Sequence, residues 1–225
     1  MAREFFDNQL SELQHHVVRL GSMVEKMVDR AVTALVERNL ELANQVIADD
    51  SQVDVLTYAI EDEAMTLIST QQPVATDLRR IAAALVIVQE LERMGDHAEG
   101  IAKLSQKLSQ QPPIKPLIDI PRMAARVSEM LRLALRAYVE SDRELAARVW
   151  AMDDEVDGLY NQVYRELLTY MMGDPSTIER ATRLLHVAHD LERIGDRVTN
   201  ICERIAYIVT GDSAYVHAPA AQPAD

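Results

Sequence analysis

Three features of the 225-residue sequence predict an all-α fold of two tandem three-helix bundles, six long helices in all: a doubled acidic motif, a helix-forming composition, and prolines confined to boundaries. The motif Glu90-Leu91-Glu92-Arg93-Met94-Gly95-Asp96 returns one hundred positions later as Asp190-Leu191-Glu192-Arg193-Ile194-Gly195-Asp196. A second stretch, Ala34 to Asp54, aligns with Ala137 to Asp157 at an offset of 103, with eleven identities in twenty-one positions. Few glycines, few aromatics and abundant Ala, Leu, Glu and Arg favour helices with an aliphatic core.

Leu13, Val17, Leu20, Val24, Met27, Ala31 and Leu35 are spaced alternately four and three apart, which is the seam of a first helix. Asn39 is placed to cap a second, running through Val46, Val53, Ile60 and Leu67 to about Thr70. Pro73 is expected to open a third that ends near Leu108. Pro112, Pro113, Pro116 and Pro121 mark a linker, 112–121, between a first bundle at 1–111 and a second at 122–211. The fourth helix is expected from about Pro121 to Glu140. Ser141-Asp142-Arg143-Glu144 has capping-box spacing and is expected to start the fifth. Asp174-Pro175 opens the last, with the seam Leu184, Val187, Leu191, Ile194, Val198, Ile201, Ile205 and Ile208 and a stop at Gly211. The Ala/Pro-rich stretch 212–225 is expected to lack fixed structure.

Composition narrows the function. A net charge of −13 argues against a nucleic-acid partner and against direct adhesion to an anionic membrane. A single cysteine, Cys202, forms no intrachain disulfide and suits a reducing compartment; it is expected to be a small core residue. The longest apolar run, Ile81 to Val88, is far short of the roughly 20 residues that cross a bilayer. The N-terminal residues turn polar at once, with no signal-peptide pattern, so a cytoplasmic protein is expected.

The acidic residues carry the chemistry. On a helix, Glu92 and Asp96 stack one turn apart, as do Asp50 and Asp54, Asp153 and Asp157, and Glu192 and Asp196. A hairpin folded at Pro73 sets Asp50 level with Asp96 and Asp54 level with Glu92. One folded at Asp174-Pro175 does the same for Asp153 with Asp196 and Asp157 with Glu192. Two carboxylates about 5 Å apart repel by roughly 3 kcal/mol at an effective dielectric near 20. Protonation, arginine or a cation relieves this. The all-oxygen set suits hard ions such as Mg²⁺, Mn²⁺, Ca²⁺ or ferric iron. The competing reading is a solvated acidic face paired with Arg79, Arg93, Arg193 and Arg197, with glycine allowing close helix packing.

Other residues point less clearly to a site. His189 shares a helical side with His186 and Glu192 and is a candidate extra ligand, but the first copy has Gln89 there. Glu12 and His15 have the spacing of bundle di-iron sites but occur once, where two are needed. His97, replaced by Arg197 in the second copy, reads as exposed basic character. Met171 and Met172 read as packing residues at a helix end. No phosphate loop, nucleophile elbow or triad spacing is present.

The two acidic motifs, with Gln72-Pro73-Val74-Ala75-Thr76-Asp77-Leu78-Arg79, resemble the signatures of the PhoU family, the accessory proteins of bacterial phosphate-specific transport, over roughly residues 5–210. The resemblance implies two three-helix bundles, a homodimer, and a cytoplasmic protein that reaches the membrane only through partners. It implies a negative regulator of the phosphate-starvation regulon that links the ATPase subunit of a phosphate ABC transporter to a sensor histidine kinase, without being an enzyme. It also implies metal clusters, of Mg, Mn, Fe or Zn, at Asp50, Asp54, Glu92 and Asp96 and at Asp153, Asp157, Glu192 and Asp196. Gly100 stands where the second copy has Asn200, which questions any auxiliary ligand from that position in the first bundle. The alternative function is a multinuclear metal-dependent hydrolase or oxidase on a helical bundle.

Overall fold

The computed structural model describes residues 2–212, so most of the Ala/Pro-rich stretch lies outside the described residues. Helix α1 (Ala2–Glu37) buries its whole expected seam from Leu13 to Leu35. Helix α2 (Leu40–Gln71) starts at Asn39, whose Oδ1 accepts from the Leu42 amide at 3.0 Å. Helix α3 (Ala75–Ser109) begins two residues beyond Pro73 rather than at it. The proline disfavours the right-handed helical region at Gln72. Gln72 instead closes α2 in the left-handed region, at φ 49°, and Val74 crosses extended to the new helix.

The second half repeats this plan with two local changes. Helix α4 (Asp119–Glu140) takes in Pro121, tolerated in the first turn where the missing N–H has no partner to lose. Ser141 then turns left-handed at φ 52° and closes α4. Asp142 rather than Ser141 caps the next helix, accepting from the Leu145 amide at 2.9 Å. The expected fifth helix is present but interrupted at Met152, into α5 (Arg143–Ala151) and α6 (Asp153–Gly173). The interruption gives Asp153, Asp154 and Glu155 a helix N-terminus of their own, where the backbone dipole favours negative charge. A 3₁₀ turn (Pro175–Thr177), capped by Asp174, leads into α7 (Ile178–Thr210), which ends at Gly211 with φ 81°.

The central helices are α3 and α7. They pack on each other, α3 also against α1 and α2, and α7 also against α4, α5 and α6, while α1 meets α4. Equivalent residues fill equivalent places: Val46 and Val149, Val53 and Val156, and Ile60 and Val163 are all buried. The core runs without a break from one repeat into the other. Fully burying each Val, Leu or Ile side chain contributes about 1.5–3 kcal/mol, so an aliphatic core of this extent needs few aromatics. Among the described residues, no helix is long and apolar enough to cross a membrane.

Candidate functional site

Helical periodicity turns the apolar seams of α2 and α3 toward each other and leaves Asp50, Asp54, Glu92 and Asp96 along one edge of the contact. All are half-buried except Asp96, which is exposed. Each member bears electrostatically on others of the set. Asp50 is pushed up to about 6, first by burial, then by the charges of Glu99, Asp54 and Asp96, against a smaller pull from Lys103. Burial followed by Asp96 and Asp54 raises Glu92, and burial followed by Asp54 raises Asp96, opposed by His97.

The second set sits where α6 and α7 meet. Asp153 is pushed up to about 7 by burial and then by Asp157, Asp196 and Glu192. Asp157 is raised by burial and then Asp196, and Glu192 by burial and then Asp196, opposed by His189 and Arg193. The level matching from sequence therefore brings each quartet within mutual electrostatic reach. Among the described residues, however, no three His, Cys, Asp or Glu side chains are positioned as they stand to hold a metal ion.

The glycines of the motif acquire a reason here. A Cβ on Gly195 would lie 2.6 Å from Asp153 Oδ1, far inside contact distance. A Cβ on Gly95 would meet Val53 Cγ1 at 3.3 Å and Asp50 Oδ1 at 3.7 Å. Gly195 lets the Asp153 carboxylate lie against the helix backbone and Gly95 lets Val53 pack close with Asp50 beside it, which offsets a helix cost of about 1 kcal/mol for each glycine. Asp153 Oδ1 is buried there without a hydrogen-bond partner. Glu192 Oε2 also lacks a hydrogen bond, and His189 Nδ1, 3.3 Å away, forms a charge pair with it only when the imidazole is protonated.

These observations test whether the residues fit a metal. The donors are all carboxylate oxygens, they repel one another, and a buried oxygen lacks a partner in a space kept open by glycine. That chemistry fits a hard cation. A solvated face paired with arginine accounts for less. Arg193 pairs with Asp196 at 2.7 Å, but Arg197 turns to Glu90 and Arg79 lies by Thr76.

Several neighbours of the quartets are not evident from sequence. Glu99, paired with Lys103 at 2.6 Å, adds charge beside the first, and Asp154 beside the second. A polar seam also crosses between the repeats. Arg197 Nη1 and Asn200 Nδ2 donate to Glu90 Oε2 at 3.3 and 3.2 Å, and His97 Nδ1 lies 3.1 Å from Asp190 Oδ1. His97 is thus half-buried and paired, not simply exposed basic character. Asn200 serves Glu90 rather than a carboxylate quartet, and its counterpart Gly100 lies against Asp190. The hundred-residue offset was the available signal, since the first acid of each motif meets the basic residue of the other.

The remaining candidates fall elsewhere. His186, Glu12 and His15 are exposed on helix surfaces, and so is Met172, so it does not pack. Cys202 is buried in the core, where burial raises its thiol pKa.

Fold and site together define a class: an all-α protein made of two homologous three-helix repeats, each carrying a carboxylate quartet at a helix pair. The PhoU domain matches twice, at residues 17–105 and 120–205, and the chain belongs to the PhoU family. It is 44% identical over 208 residues to a phosphate-specific transport system accessory protein PhoU homolog of Caulobacter vibrioides, covering 92% of this chain and 90% of that one. A homolog with the same description from Clostridium acetobutylicum is 40% identical, covering 94% and 97%. The crystal structure of PhoU from Pseudomonas aeruginosa superposes with a TM-score of 0.88 at 35% identity, covering 92% of this chain and 99% of that one. The phosphate transport system regulatory protein PhoU from Streptococcus pneumoniae gives 0.85 at 30%, covering 92% and 98%. These relatives are named as accessory or regulatory proteins, not as enzymes.

Proposed function

We propose that the chain is a non-enzymatic regulator of phosphate uptake whose two carboxylate quartets hold hard metal ions. The observation that carries the metal reading is the duplicated quartet itself, with acids driven above their ordinary range and Asp153 Oδ1 lying partnerless beside Gly195. Bound ions would supply positive charge that neutralises each quartet and leaves coordination positions for groups on another molecule. Asp50, Asp54, Glu92 and Asp96 would hold one set, and Asp153, Asp157, Glu192 and Asp196 the other. Mg, Mn or Fe suits the oxygen donors, and His189 beside Glu192 extends the second set toward Zn.

The names of the relatives support the accessory role. We further infer a homodimer in the cytoplasm that meets the membrane through partners. It would dock on the ATPase subunit of a phosphate transporter and on a sensor histidine kinase. Binding one transporter state better than another would bias the kinase, and so the phosphate-starvation regulon, by population shift.

Capture of purified ATPase subunit and kinase on the immobilised protein, with and without chelator, tests the adaptor. Retention of both, weakened by chelator, is expected; retention of neither contradicts it. Isothermal titration with Mn²⁺, Mg²⁺, Fe³⁺ and Zn²⁺ against the Asp96→Asn/Asp196→Asn variant tests the metal separately. Sedimentation over a range of concentrations tests the dimer.

A further inference from the structure

The Pro-rich linker, which the carboxylate quartets leave unexplained, forms one wall of a cleft of about 450 Å³. The opposite walls are the C-terminal ends of α1 and α3 and the first turns of α7. Leu35, Leu108, Leu117 and Leu184 make the interior aliphatic, and the rings of Pro112 and Pro113 stiffen one side. The size falls in the range of about 300–1,000 Å³ typical of small-molecule sites.

The charge around it is unusual for this chain. The protein carries 36 acidic against 23 basic residues, yet no Asp or Glu lines the cleft, while Arg38, Lys115 and Arg180 do. Lys115 is neutralised by Glu166. Neither arginine is held in such an ion pair, although Arg180 acts on the Asp174 carboxylate from a longer range. Arg38 Nη2 donates to the carbonyls of Ser109 and Gln111 at 2.6 and 2.7 Å, and Arg180 Nη1 to that of Pro112 at 2.9 Å. Among the described residues neither has a carboxylate within ion-pair distance. Neutral carbonyls orient the guanidinium groups without cancelling their charge, and an arginine retains further donors for an anion.

We propose that this cleft binds a free amphipathic anion with a single aliphatic chain, its tail among the leucines and its carboxylate or phosphate head between Arg38 and Arg180. The apolar interior selects the chain, and the two guanidinium groups, neither held in an ion pair and with no carboxylate among the lining residues, select the sign of the head. The site is separate from the carboxylate quartets and does not depend on their holding metal.

Isothermal titration of the full chain with dodecanoate below its micelle concentration tests this. Dodecyltrimethylammonium and butyrate serve as controls, and the Arg38→Gln/Arg180→Gln and Arg180→Lys variants are measured alongside. Dodecanoate is expected to bind at least 10-fold more tightly than either control. The double Gln variant should lose at least 10-fold, while Arg180→Lys, which keeps the charge and leaves the Arg38 clamp intact, should lose less. Chemical-shift perturbation should map to Leu108, Leu117 and Leu184 in both wild type and Arg180→Lys. Equal binding of the cationic amphiphile, binding unchanged in the double variant, or shifts elsewhere would overturn the proposal. So would failure of dodecanoate to bind; if the wild type then self-associates and the double variant does not, the cleft belongs to a second copy.

Discussion

At the scale of single residues, Gly195 and Asp153 bear most directly on the metal site. The Gly195→Ala methyl would displace the Asp153 carboxylate, whose nearest oxygen is 2.6 Å from the added carbon. We expect at least a 10-fold loss of Mn²⁺ affinity at the second quartet by calorimetry. Gly95→Ala should cost less at the first, because Asp50 Oδ1 stands off at 3.7 Å. The raised acids also set a pH dependence. A carboxyl held above its ordinary value favours the fold when protonated. Its contribution is fully present below about pH 4 and is lost as pH rises through about 6 for Asp50 and about 7 for Asp153. Metal-free protein should therefore lose stability from these groups between about pH 4 and 7 and stay at that lower level at pH 8. Asp153→Asn should raise the pH 8 melting temperature by about 2–4 °C, roughly 1 kcal/mol. Scanning calorimetry across that range checks both. The glycine was visible in the sequence as a choice the helix disfavours; what it makes room for depends on a residue forty-two positions away and needed coordinates.

At the scale of elements, helix positions were legible because a 3.6-residue period leaves the same record in sequence and in burial. Leu13 to Leu35 in α1 and Leu184 to Ile208 in α7 are buried as their spacing requires. Asn39 was readable as a cap for the same local reason, and Asn39→Ala should cost about 1 kcal/mol in denaturant unfolding. The interruption at Met152 was not readable, since the segment around it aligns with an α2 stretch that continues unbroken. The polar seam between α3 and α7 was hidden too, because helix rotation is set by packing on both sides. Glu90, only 8% exposed, takes hydrogen bonds from Arg197 and Asn200. Glu90→Ala should destabilise by about 1–3 kcal/mol, by leaving those donors unmatched. Adding Arg197→Met should cost less in that background than alone, and a double-mutant cycle by urea unfolding measures the difference.

At the scale of the whole molecule, duplication places an acidic quartet at each of two helix hairpins, and α3 and α7 join the hairpins through one continuous core. The quartet membership was legible because folding each hairpin at its turn fixes which residues share a level. The neighbours Glu99 and Asp154 were not, because they enter from an adjacent turn rather than from the repeated motif. The helices leave only 110–118 as linker, because 119–121 belong to α4, and the continuous core unites the repeats; on the function proposed above, ions on one hairpin and partners on the other would act on one packed unit. The most direct test is anomalous diffraction from crystals grown with Mn²⁺. The account predicts manganese peaks at both hairpins, one set among Asp50, Asp54, Glu92 and Asp96 and the other among Asp153, Asp157, Glu192 and Asp196, each disappearing when its own aspartates are changed to asparagine. Peaks absent from both hairpins, or persisting at a hairpin whose acids have been neutralised, would contradict it.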